Sequence, residues 1–279
     1  MSTPKKKMIV ETSSVRAALN ETNRHHHEHF KSKTDGAALH SSVYIRMEFI
    51  RAFIKPIIEV AFRVDHYGSV AEALGEIEEE FAIRKVKLGL QIVRSMLQDI
   101  GALGNEKANA KEIARLAIVK LKLFDRTFPS RINNGCGCRI GAKEMPIDYN
   151  KFFESLRHFM EVTANVSDCP INEFVGFRSP NGRTQKLLGH TGAAGTKAGQ
   201  NLSKYANKTK HIDCGRCSRI GDAVIALEQG KSFDLVHIDG AFNELCDATG
   251  RSHIEVKSAR KCANEACANV DNASSASNN

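Results

Sequence analysis

Tryptophan is absent from the 279 residues, and aromatic residues make up only 6% of them. Proteins that read single strands by stacking bases need aromatic platforms, and such platforms are sparse here. No apolar stretch reaches the roughly 18 residues that cross a bilayer. The basic start, Met1 to Lys7, is not followed by the hydrophobic region of a signal peptide. Together these absences imply a cytoplasmic chain with no membrane partner. In that compartment the eight cysteines read as thiols or metal ligands rather than disulfides. The phosphate-binding pattern Gly-x-x-x-x-Gly-Lys-Ser/Thr does not occur. No cysteine can be singled out with a histidine as a nucleophilic pair.

Positive charge is present in excess. Lys and Arg total 40 against 32 Asp and Glu, a net +8. That balance suits a polyanionic partner such as nucleic acid, through neutralisation of phosphates.

The chain opens with Lys5 to Val10, an apolar run behind a charged edge that reads as a first strand. Glu11-Thr-Ser-Ser14 is a polar turn, and Ser13 or Ser14 is the expected cap of a helix starting at Val15. Four histidines in His25 to His29 are expected on a solvated surface. Gly36 to His40 reads as a short second strand. Ser41 or Ser42 then caps a helix carrying Val43, Tyr44, Met47, Ile50, Phe53 and Ile57 at helical spacing, with Pro56 bending it late. Glu48 falls at the edge of that apolar stripe. Two or three helices follow over residues 69–128, then a loop over 131–141 and a helix over 149–162. Residues 167–213 are rich in Gly, Asn, Lys and Thr and predict one long basic loop.

Near the C-terminal end, Asp222 opens a short helix with Val224, Ile225 and Leu227 on its apolar side. Phe233 to Ile238 is an apolar run of strand length, closed by the turn signal Asp239-Gly240. A helix over 243–249 and a strand over 253–256 complete the pattern. Strands alternating with helices predict an α/β fold with a parallel sheet flanked by helices. The expected division is an α/β core over 1–66 and 205–260, a long mainly helical and loop insertion over 67–204, and a disordered tail over 261–279.

In a parallel sheet successive strand ends face one edge, where sites collect. Glu11 and Asp239 both follow strands, and Glu48 and Asp222 belong to helices starting beside such ends. Four carboxylates therefore have a route to one place. Like charges held together need protons or cations to neutralise them. Mg²⁺ or Mn²⁺ prefers oxygen ligands and steadies charge on a phosphate during transfer.

Val10-Glu-Thr-Ser-Ser-Val15 resembles the opening strand and turn of PIN-domain ribonucleases. Ser42 to Phe49, Asp222 to Ala226 and Asp239 to Leu245 resemble the second, third and fourth motifs of that family. The resemblance covers roughly residues 8–63 and 219–257, and the fold it implies is PIN-like, a Rossmann-like α/β sheet. By it, Glu11, Glu48, Asp222 and Asp239 are the expected catalytic and metal-binding acids, with Thr12 or Ser13 assisting. The expected activity is Mg²⁺- or Mn²⁺-dependent endonucleolytic cleavage of RNA. The chain departs from the family in having glutamate where the first acid is usually aspartate, and in the length of its insertion. The alternatives are a catalytically inactive PIN-like protein that binds nucleic acid, and a class I methyltransferase dependent on S-adenosylmethionine. The second rests on Phe233 to Gly240 and needs a glycine-rich turn after a strand. A second copy of the chain, or an inhibitory protein, remains open as a partner.

Cys136-Gly-Cys138 and Cys214-Gly-Arg-Cys217 form two close pairs. Four thiolates from such pairs make a closed structural Zn²⁺ site, with Cys169 able to replace one of them.

Overall fold

The computed structural model describes residues 5–19, 24–84, 94, 109–129, 135–145, 147–164, 169–176, 181–206, 212, 217–228 and 232–257. The sequence expectations for residues 258–279, for Gly230 and for Cys214 lie outside these. The chain divides into two compact units. One comprises Met1–Ile45, Thr127–Cys138 and Asp168–Asn279, the other Arg46–Arg126 and Arg139–Ser167.

The first unit is an α/β layer. Its strands are β1 (Lys7–Val10), β2 (Ala38–His40), β3 (Asp234–His237) and β4 (His253–Glu255), in the order β2-β1-β3-β4. Every neighbouring pair is parallel, with Ile9 opposite His40 and Leu235, and Val236 opposite Ile254. Parallel neighbours need long crossovers, which here carry the helices. Met8, Ile9, Val10, Leu235 and Val236 are all buried. Central strands covered on both faces read as unbroken apolar runs, which is why β1 and β3 were legible.

Helix starts show where side chains replaced the predicted caps. The first helix runs Thr12–Leu19, one turn earlier than a cap at Ser13 or Ser14 allows. Glu11 caps it instead, since its side chain accepts from both serine amides. The histidine run is not an irregular loop: Arg24–Thr34 is helical, with His27 Nδ1 3.0 Å from Ala17 O. The helix Val43–Phe49 is capped as expected by Ser42, whose Oγ accepts from Ile45 N at 3.1 Å.

Residues 167–213 are not one long loop. The described part holds the helices Ile171–Val175, Gly182–Gly189, Thr191–Gly195 and Lys197–Ala206. Leu187, Ala193, Ala198 and Leu202 supply their buried side. The glycines that suggested a loop serve close packing: a Cβ on Gly199 would overlap Ala193 O, and one on Gly192 would overlap the Glu244 carboxylate. Small residues at such crossings let backbones approach, so a glycine-rich composition here builds helices rather than breaking them.

The second unit is helical among its described residues. It holds the rest of the helix begun at Val43, a π-helical turn Ile50–Ile54, and the helices Lys55–Tyr67, Val70–Arg84, Ala110–Thr127 and Phe152–Val162. Pro56 brings no N–H for the carbonyl four residues back. The preceding turn widens to meet this: Lys55 N–H donates to Ile50 O, five residues earlier. Phe49 stacks on Phe53 and on Phe124 at centroid distances of 5.1 and 4.6 Å. The Arg46 guanidinium forks onto both Asp125 carboxylate oxygens and also donates to Gly141 O and Lys143 O. Among the described residues no helix is long and apolar enough to cross a membrane.

Candidate acidic site

The sheet order sets the site. From β1 the chain crosses to β2 on one side, while β3 lies on the other. The crevice beyond the C-terminal ends of β1 and β3 is the switch point where open parallel sheets place ligands. Glu11 is the first residue after β1, and Asp239 stands two residues beyond β3. The helix Gly221–Glu228 runs into β3, so its first turn, with Asp222, starts at that same edge.

Glu11 is buried, 3% exposed, and its carboxylate is heavily engaged. Oε2 accepts from Ser13 N at 2.6 Å; Oε1 accepts from Ser14 N at 2.8 Å, Ser14 Oγ at 3.0 Å and Ile238 N at 3.2 Å. One side chain thereby ties the end of β1, the start of the first helix and the end of β3. Burial lifts its pKa to about 7; the serine donors oppose this, and Asp222 adds a small further push upward. The hydroxyl that donates to Glu11 is that of Ser14, which is buried; Ser13 is exposed and reaches the carboxylate through its amide. Ser14 was missed because spacing alone does not say which serine of the turn faces inward.

Asp222 is half-buried, and its pKa rises to about 6, through burial first and the negative charge of Asp239 second. Asp239 is exposed; its Oδ1 accepts from Ala241 N at 2.9 Å, which heads the helix Ala241–Thr249. The structure thus brings Glu11, Asp222 and Asp239 to one crevice of the first unit. Glu48 is half-buried and belongs to the second unit.

A histidine pair that sequence reading passed over lies beside this edge. His237, fully buried on β3, has Nε2 3.0 Å from His253 Nδ1 on β4. Burial, followed by the His253 charge, lowers the His237 pKa to about 4. It is therefore a neutral wall at neutral pH.

The cysteines gather elsewhere in the first unit. Cys136, Cys138 and Cys217 are buried and Cys169 is half-buried. The Cys136 amide donates to Glu228 Oε1 at 2.7 Å. Gly137 has φ 65°, and the Pro170 side chain lies 3.6 Å from where its Cβ would sit, which sets the Cys-Gly-Cys turn against Cys169-Pro170. Tyr44 donates to Cys217 O at 2.9 Å. A hydrogen bond with Cys169, then burial, raises the Cys217 pKa; burial, then Glu228, raises that of Cys136. Among the described residues, no three His, Cys, Asp or Glu side chains are grouped so as to hold a metal ion.

Comparison with protein-family models, curated proteins and solved structures finds no match. The parallel α/β architecture is shown by the strand order, and the glycines over 189–199 lie in and between helices.

Proposed function

We propose that the protein is a Mg²⁺- or Mn²⁺-dependent endoribonuclease of PIN-like design. The observation that carries this reading is the meeting of Glu11, Asp222 and Asp239 at the switch point of a parallel sheet, in a chain of net charge +8. The negative charges that help raise the pKa values of Glu11 and Asp222 are a surplus that a divalent cation relieves. Mg²⁺ is commonly held by one or two carboxylates together with waters and substrate phosphates rather than by a full protein cage. Two side chains, Asp222 and Asp239, suffice for that mode, and the ion would supply charge stabilisation at the phosphodiester. Glu11 acts differently from the expected third ligand. With both oxygens accepting hydrogen bonds, it positions Ile238 and hence Asp239. That same engagement favours the second reading, a protein that binds RNA without cutting it.

Incubation of the full chain with single-stranded RNA separates the two. With Mn²⁺ the RNA is expected to be cleaved, and EDTA is expected to stop it. Asp239→Asn is expected to lower the rate about hundredfold, at the upper end of effects seen when a metal site loses a supporting group. Binding that persists without any metal-dependent cleavage overturns the nuclease reading in favour of the second.

The proposal extends to the thiols. Cys136, Cys138, Cys214 and Cys217 serve as structural Zn²⁺ ligands, with Cys169 next to Cys217. Elemental analysis is expected to find about one zinc per chain, lost in Cys214→Ser. A protein without zinc whose eight cysteines all titrate as thiols would remove this part.

A further inference from the structure

A second place in the first unit has the opposite electrostatic character. A cavity of about 540 Å³ is lined by Phe174, Asn181, Arg183, Thr184, Lys186 and Leu227 with Gly182, and no acid is among them. The eight-residue helix Gly182–Gly189 starts at its wall, with Asn181 Oδ1 accepting from Thr184 N at 3.0 Å. Helix starts favour anions through the dipole and the leading amides, though many helix starts hold nothing. Two buried groups point to more here. Thr184 is 1% exposed, and its Oγ1 has no hydrogen-bond partner. Arg251 is 9% exposed, and neither its Nε nor its Nη1 has one.

Arg251 lies near enough to Arg183 for the two positive charges to oppose each other. A guanidinium does not shed its proton in a protein, and an uncompensated buried charge is expensive. Among the described residues the cavity wall therefore carries Arg183, Lys186 and the unpartnered Thr184 hydroxyl with no acid, and Arg251, not itself part of the wall, adds its positive charge from beside Arg183. A tetrahedral oxyanion would meet the donors of the wall directly and the Arg251 charge at longer range, since the guanidinium fork of Arg183 matches phosphate oxygens.

We propose that this cavity binds a phosphate group, as a site separate from the acidic crevice. The helix Gly221–Glu228 shows the separation: Asp222 is in its first turn, whereas Leu227, near its far end, lines the cavity. Five residues of helix rise about 7 Å. Asp222 thus sits at the end of that helix remote from the cavity. The phosphate belongs either to a small free ligand or to a nucleic-acid backbone. Arg183 and Lys186 are exposed at the mouth and accept either.

Titration of the full chain with inorganic phosphate in a phosphate-free starting buffer, followed by thermal shift and ³¹P line width, tests the site. Saturable binding is expected, weakened at least about tenfold by Arg183→Ala, the loss of one charge-assisted hydrogen bond, and by a smaller factor by Arg251→Met, the loss of a positive charge behind the wall. Asp222→Asn is expected to bind phosphate as the wild type does, which keeps this test independent of the nuclease reading. In the absence of phosphate, Arg251→Met is expected to melt no lower than the wild type, because it removes an uncompensated charge. Arg183→Ala alters only an exposed side chain, so its effect is read on a folded protein. A short RNA without terminal phosphates is the second arm: competition with phosphate assigns the group to a nucleic-acid backbone, and simultaneous binding assigns it to a small ligand. Absence of saturable phosphate binding, or equal affinity in the wild type and both arginine variants, overturns the proposal.

Discussion

Glu11→Ala is expected to destabilise the folded chain by about 3 kcal/mol, because it leaves buried donors without an acceptor. The amides of Ser13, Ser14 and Ile238 and the Ser14 hydroxyl all point at this one carboxylate. Truncation also opens a void at the junction of two strands and a helix. Glu11→Gln is expected to recover only part of the loss. Its amide oxygen replaces one acceptor, but its NH₂ turns toward donors. Denaturant unfolding of the three proteins measures the difference. Equal midpoints for Glu11→Ala and wild type would mean that the carboxylate does not hold β1, β3 and the first helix together.

Asp222→Asn is expected to act in the other direction on stability while abolishing cleavage. Folded Asp222 releases its proton near pH 6, against a starting value of 3.8. Between those values the folded state holds more protons than the unfolded one, so stability falls as pH rises through that window and stays lower above it. Asparagine lacks this penalty. The variant is therefore expected to be more stable than wild type by about 1–2 kcal/mol above pH 6, after discounting for partial exposure. The advantage is expected to vanish near pH 4. His237 works in the opposite sense: its folded pKa near 4 lies below the ordinary 6.5, so stability is gained as pH rises between them. Comparing variant with wild type at each pH cancels that contribution. Mn²⁺ is expected to raise the melting temperature of the wild type and not of Asp222→Asn, the result that binding of the ion through Asp222 would give. A variant less stable than wild type at pH 7.5, still responding to Mn²⁺, would make Asp222 a structural residue. Stability gained where activity is lost marks a group kept for chemistry.

These two acids show what was legible in the sequence. The positions of Glu11 and Asp239 followed from two apolar runs, each ending in an acid, because strands buried on both faces show themselves by composition alone. Asp222 followed from its place at a helix start. What did not follow was the difference in role. That Glu11 spends its oxygens on backbone amides depends on Ile238 arriving beside it, and no local pattern encodes that arrival. Residues 167–213 were misread for a related reason. Gly192 and Gly199 look like breakers in one dimension, yet Gly199 stands where the Ala193 backbone leaves no room for a Cβ, and a Cβ on Gly192 would displace the exposed Glu244 side chain. Arg251 was unremarked because a single arginine after a glycine carries no signal until burial is known. Glu48 kept its helix but belongs to the other unit, and a boundary of that kind falls inside a helix that composition reads as continuous.

Ile238 reaches Glu11 across 227 positions of sequence, and β1 has β3 as its inner neighbour. During synthesis the first strand can meet β2 early but must wait for its second partner until β3 has left the ribosome. Contacts this distant slow folding and lengthen the time during which apolar edges stay uncovered. The helices between them have local contacts and are free to form early, so the crevice that gathers the acids is expected to be among the last parts of the molecule to exist.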